Sequence, residues 1–199
     1  MTRKRNKSKQ NADLCVELHA YLRQSTMRQV LIMSGGEGSN TDLAMQLAYA
    51  CACTGASTLL METGCEQGVL LDRAVKARLL TAFTPKDNRY FYHTRYPALT
   101  IMAAAAPVRP EEWNEQAEAH FQEYEWVIMD AHMAPQGLYW ASRAQGTVLT
   151  VPYNDVSQDK LAGVLATLER LQVNVLGAAL VEVPSFGPLN EYKRLKALL

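Results

Sequence analysis

The sequence predicts an α/β fold: a doubly wound, mainly parallel sheet with helices on both faces. Three observations carry that reading. Six short runs are continuously apolar, which is how strands read when both faces of their sheet are covered. Stretches with helical periodicity alternate with those runs, as they do when crossover helices join parallel strands. The chain has 199 residues, 48% of them hydrophobic and 20% charged. That is the size and mix of one globular domain with a substantial core.

Taken in order, residues 1–12 read as a basic, disordered tail and residues 13–199 as a single domain. Leu14, Val16, Leu18, Tyr21 and Leu22 give residues 13–25 the apolar side of a short helix. The run 29–33 reads as a buried strand that ends in a glycine-rich turn. The next helix carries Leu43, Ala44, Leu47, Ala48 and Ala50, breaks near Gly55, and has Thr41 or Asp42 as its N-cap. Further strands are expected at 57–62, 99–103, 126–130, 147–151 and 175–181. A helix is expected after Pro110, where Glu111 and Glu112 suit the helix dipole. Others are expected at 138–144, 156–171 and 190–199. The segment 64–98 has no clear period, and Phe83, Tyr90, Phe91, Tyr92 and Tyr96 mark it as an aromatic surface loop or a partner-binding excursion.

Twenty basic residues balance twenty acidic ones, which excludes a uniformly basic nucleic-acid binder. The balance is uneven along the chain. Arg3, Lys4, Arg5, Lys7 and Lys9 lie in the first ten residues without an acid among them, leaving a net of −5 on the rest. Such a segment suits an anionic surface, membrane headgroups or nucleic acid, or serves solubility alone. Contact with an anionic membrane is the expectation, with no specific nucleic-acid partner. No apolar stretch reaches the ~18 residues of a membrane span, and no signal-peptide core follows the basic start. A cytoplasmic protein is expected, peripheral at most to the inner face of the membrane. Cys15, Cys51, Cys53 and Cys65 have no framework spacing and read as reduced thiols. The histidines are scattered, so no metal site is expected.

A glycine-rich turn between a first strand and a first helix is where α/β folds bind phosphate, because backbone N–H groups and the positive helix end converge there. Gly35, Gly36 and Gly38 supply that shape, with Glu37, Ser39, Asn40 and Thr41 completing the loop. A working phosphate loop ends in Gly-Lys-Ser/Thr, the lysine meeting phosphate and the hydroxyl holding magnesium. Here Ser39 stands in the lysine slot and Asn40 in the magnesium slot, and no lysine occurs between Lys9 and Lys76. Two other sites fail on pattern. Ser34 or Ser39 with His132 and Asp130 lacks the nucleophile elbow of a hydrolase. Gly36 and Gly38 lack the third glycine of a dinucleotide site, where Thr41 stands.

The order of motifs resembles the MinD/ParA-type deviant P-loop ATPases, and more closely the cytoplasmic domain of bacterial tyrosine kinases that govern capsule and exopolysaccharide export. The resemblance covers roughly residues 14–183. That family's loop reads G-E-G-K-[S/T]-T, against Gly36-Glu37-Gly38-Ser39-Asn40-Thr41 here. Its strand end L-L-I-D-A-D corresponds to 59–64, with Glu62 in place of the first aspartate and Gly64 in place of the second. Its Walker B aspartate is kept as Asp130. Val181 stands where an asparagine often contacts adenine. Glu17 and Arg23 match the ends of an E-x-x-R-x-x-R helix motif that serves ring assembly, with Ala20 in place of the middle arginine. The acceptor tyrosine cluster is reduced to Tyr192.

The resemblance therefore implies a degenerate P-loop protein, with Glu62 and Asp130 as vestigial site acids or plain helix-capping carboxylates. It implies no cofactor, or at most weak ATP or ADP with magnesium. The role it implies is an accessory or scaffold, a pseudokinase or pseudo-ATPase, in exopolysaccharide or capsule synthesis and export. Its partner would be a protein of that complex, and a homo-oligomer would form through Glu17 and Arg23. Two alternatives stay open. One is an active MinD/ParA-type switch that positions a complex on membrane or DNA. The other is a nucleotide-independent interaction module whose surface is the aromatic segment 83–96.

Overall fold

A computed structural model describes residues 2–35, 40–63, 69–86, 89–103, 120–131, 135–152 and 157–181. Eight strands form one sheet: β1 (Gln29–Ser34), β2 (Thr58–Thr63), β3 (Leu80–Lys86), β4 (Arg89–Thr94), β5 (Leu99–Ala103), β6 (Trp126–Ala131), β7 (Gly146–Pro152) and β8 (Val175–Val181). The helices are α1 (Thr2–Gln24), α2 (Thr41–Ala52), α3 (Val69–Lys76), α4 (Pro135–Ala141) and α5 (Gln158–Arg170). A 3-10 turn covers His120–Glu123. The strand order is β3-β4-β5-β2-β6-β1-β7-β8. Every pair from β5 to β8 is parallel, and β4 runs antiparallel to both β3 and β5. The mainly parallel, doubly wound sheet predicted from the sequence is the one found.

All six predicted strands are present, each within a residue or two of its expected ends. Their side chains alternate between two cores. Val30, Ile32, Leu60, Ile101 and Ile128 face a cluster with Leu22, Leu43 and Leu47 from α1 and α2. Leu31, Met33, Leu59, Met61, Val127 and Met129 face the other, with Phe121, Trp140 and Leu168. Continuously apolar strands are what a sheet covered on both faces requires.

Three expectations are corrected. First, the backbone of α1 is helical from Thr2, whereas the sequence places the start of this helix at residue 13. Neither glycine nor proline occurs between Thr2 and Gln24, and Lys, Arg and Gln are good helix formers. Second, Val16 and Tyr21 point outward on α1, at 65% and 53% exposure, while Cys15 and Leu22 are buried. The spacing of seven between those two keeps them on one helix face. Third, the described residues of segment 64–98 are not a loop throughout: they include α3 and the antiparallel pair β3 and β4. Phe91 is buried, and Tyr92 and Tyr96 pack against a core cluster. These aromatics fill an edge of the sheet, as β-propensity favours.

The expected helices after Pro110 and over 190–199, and Cys65, lie outside the described residues. Cys15, Cys51 and Cys53 are free thiols, the first two buried. No helix among the described residues is long and apolar enough to cross a membrane. Leu47 of α2 is fully buried against the sheet. Leu47→Ala should cost about 2–5 kcal/mol in urea denaturation, whereas Val16→Ala should stay within about 0.5 kcal/mol.

Candidate functional site

Parallel strands β2, β6 and β1 lie side by side and deliver Glu62, Asp130 and the glycine-rich turn to one end of the sheet. That is the carboxyl end, where open α/β sheets bind ligands. Gly35 continues the ladder, its N–H donating to Thr150 O at 2.7 Å. A Cβ on Gly35 would lie 3.3 Å from that carbonyl, so the close approach of β7 favours glycine there. Gly36, Glu37, Gly38 and Ser39 lie outside the described residues.

Asn40 and Thr41 follow at the base of α2, both buried. Asn40 is the N-cap residue, one position before the Thr41 or Asp42 expected. Its backbone carbonyl accepts from Leu43 and Ala44 N–H. Its side chain makes no capping bond and turns inward instead. Nδ2 donates to Asp130 Oδ1 at 2.6 Å, Ile32 O at 2.6 Å and Ala131 O at 2.8 Å. The amide's two N–H groups are shared among these three acceptors, which fixes its orientation. Asn40 Oδ1 and Thr41 Oγ1 are buried without a hydrogen-bond partner among the described residues.

Asp130 is 3% exposed. Burial pushes its carboxyl up to about 7, and the nearby Glu62 carboxylate adds to the rise. The Thr41 hydroxyl, close by but outside hydrogen-bonding geometry, and the Arg73 guanidinium work the other way. Glu62 is the register partner of Asp130 across β2 and β6. Its Oε1 accepts the Leu70 N–H in the first turn of α3 at 3.0 Å. Of the two roles open to Glu62, helix capping is therefore the one observed. Arg73, on α3, pairs with Asp42 of α2. Arg73 does not stand out in the sequence, because the segment that carries it shows no long periodicity.

A phosphate loop in this position implies magnesium and nucleotide, and the described side chains do not fit them. An amide nitrogen faces Asp130 Oδ1, and a backbone N–H takes Glu62 Oε1. Among the described residues no cluster of three His, Cys, Asp or Glu side chains could hold a metal ion.

Glu17 and Arg23 both sit exposed on α1. Arg23 lies well apart from this site, near the amino ends of β1 and β6, where Arg28 and Trp126 are its neighbours.

No family model matches the chain, and no curated protein matches it in sequence. Solved structures do match. The VpsO kinase domain aligns with a TM-score of 0.75 at 14% identity, covering 90% of this chain and 98% of that one. The kinase domain of the Escherichia coli tyrosine kinase ETK aligns at 0.62 and 15% identity, over 86% and 74%. MinD of Aquifex aeolicus aligns at 0.56 and 17% identity, over 76% and 68%. The fold is the one these domains share. Within that fold, the neighbours of this chain include bacterial tyrosine kinase domains and MinD, the two groups that its motif order resembles.

The raised Asp130 pKa has a definite sign. Between the unfolded value near 4 and about 7, the folded state binds the extra proton, so stability falls as pH rises through that window. Asp130→Asn keeps an acceptor for Asn40 and removes the titration. It should be more stable than the wild type at pH 8 by on the order of 1–3 kcal/mol, with the gap closing towards pH 4. Urea denaturation at several pH values reads both.

Proposed function

We propose that this chain is a catalytically degenerate P-loop protein, a pseudokinase or pseudo-ATPase, that serves as an accessory or scaffold in bacterial exopolysaccharide or capsule export. The observation that carries the proposal is the inward-turned Asn40 amide, bonded to Asp130 Oδ1 and two backbone carbonyls. The side chain in the magnesium slot sets its amide nitrogen, a donor, against the site acid. Ser39 in the lysine slot removes the cation that would meet phosphate. Kinase-domain neighbours agree with the motif order, from whose resemblance the export setting is inferred, and Glu17 with Arg23 on an exposed helix side suits self-assembly. On this reading ATP or ADP with magnesium binds weakly at most.

The likeness to MinD favours a second reading, an ATP-driven switch that the basic start of α1 holds to an anionic membrane. Titration calorimetry with ATP and magnesium separates the two. The first reading expects no binding in the micromolar range and no phosphate release above buffer. Micromolar binding with turnover would overturn it. Ser39→Lys combined with Asn40→Thr should tighten ATP binding by about tenfold or more, the scale of a charge-assisted phosphate contact. Liposome association that depends on ATP and on Arg3, Lys4, Arg5, Lys7 and Lys9 would establish the switch.

A further inference from the structure

At the opposite end of the sheet, where β1, β2 and β6 begin, lies a polar cavity of about 350 Å3. Its walls are Arg23 from the end of α1, Arg28 just before β1, the turn 54–56, Glu125 and Trp126. The volume is within the range of small-ligand sites. Its charges are unbalanced, with two guanidinium groups and one carboxylate. Neither arginine forms an ion pair with Glu125, whose Oε2 instead accepts the Ser57 N–H at 3.1 Å. Arg23 makes no hydrogen bond or ion pair among the described residues. Arg28 lies over the Trp126 ring at 5.0 Å. One of its amino groups donates to Met27 O at 3.0 Å and Ser25 O at 3.4 Å. Its remaining guanidinium N–H groups are without a partner among the described residues.

We propose that this cavity is a binding site for a small oxyanion, a phosphate or carboxylate group held between Arg23 and Arg28. Guanidinium groups are donor-only and match the oxygens of either group in bidentate fashion. The ring of Trp126 is 5% exposed and backs Arg28 in place, so one of the two donors is positioned before any ligand arrives. The site is separate from the glycine-rich loop and does not rest on the degenerate-enzyme reading. A failed ATP titration and a failed titration here are different results.

The test is a two-dimensional NMR titration of the full chain with inorganic phosphate, repeated with succinate. The Trp126 indole N–H and the arginine Nε–H signals report, with sodium chloride at matched ionic strength as control. A saturable shift that chloride does not reproduce is expected, and the tighter of phosphate and succinate identifies the preferred oxyanion. Arg23→Gln and Arg28→Gln should each weaken binding about tenfold or more, while Arg23→Lys should retain part of it. Circular dichroism checks that each variant is folded, and if one is not, the comparison of oxyanion with chloride on the wild type decides. Shifts that follow ionic strength alone overturn the proposal, as do shifts unchanged in both glutamine variants. Loss of self-association in Arg23→Gln with phosphate binding intact also overturns it and leaves Arg23 to an oligomer contact.

Discussion

One buried amide joins the start of α2 to the ends of two strands. Asn40 Nδ2 reaches Ile32 O on β1, and both Asp130 Oδ1 and Ala131 O on β6, within 2.8 Å. The helix start, the strand that leads into the loop and the strand that carries the acid are thereby held in one geometry. A buried carboxyl without a donor is costly, and Asn40 supplies that donor from inside the chain. The hydrogen bond that ties the fold together at this point also occupies one oxygen of the site acid. Holding the architecture and engaging the acid are here a single contact.

The architecture is legible in the sequence because six runs are apolar at successive positions, from 29–33 through 175–181. A sheet covered on both faces accounts for all of them at once. The β3–β4 hairpin is not legible. Lys86, Asp87, Asn88 and Arg89 break its pattern, and an edge strand has one neighbour where a central strand has two. The glycine-rich turn and its replaced lysine can be read directly from residue types. What Asn40 does cannot, because two of its three partners are backbone carbonyls, which every residue carries alike. Glu62 fits a site acid and a capping acid equally well by type, and only the position of the Leu70 N–H distinguishes them. Val16 and Tyr21 fit an apolar stripe by spacing yet face outward, since a helix of mixed polarity admits more than one choice of inner face.

Charge is distributed so that the two ends of the sheet differ in kind. At the carboxyl end, Glu62 and Asp42 are close enough to act on the Asp130 carboxyl, and Arg73 pairs with Asp42. At the amino end, Arg23 and Arg28 meet a single carboxylate that is engaged elsewhere. Among the described residues, the concavity lined by these two arginines lies at the end of the sheet away from Gly35.

The unbroken course of α1 changes what its basic beginning can do. Eleven residues precede Asp13 in this helix, a rod of about 16 Å at the helical rise. Its first turn holds basic residues and no acid, at the pole where backbone N–H groups already concentrate positive charge. Because the rod continues into the packed part of α1, a surface seizing its tip would set the tilt of the whole domain, as a flexible tether could not.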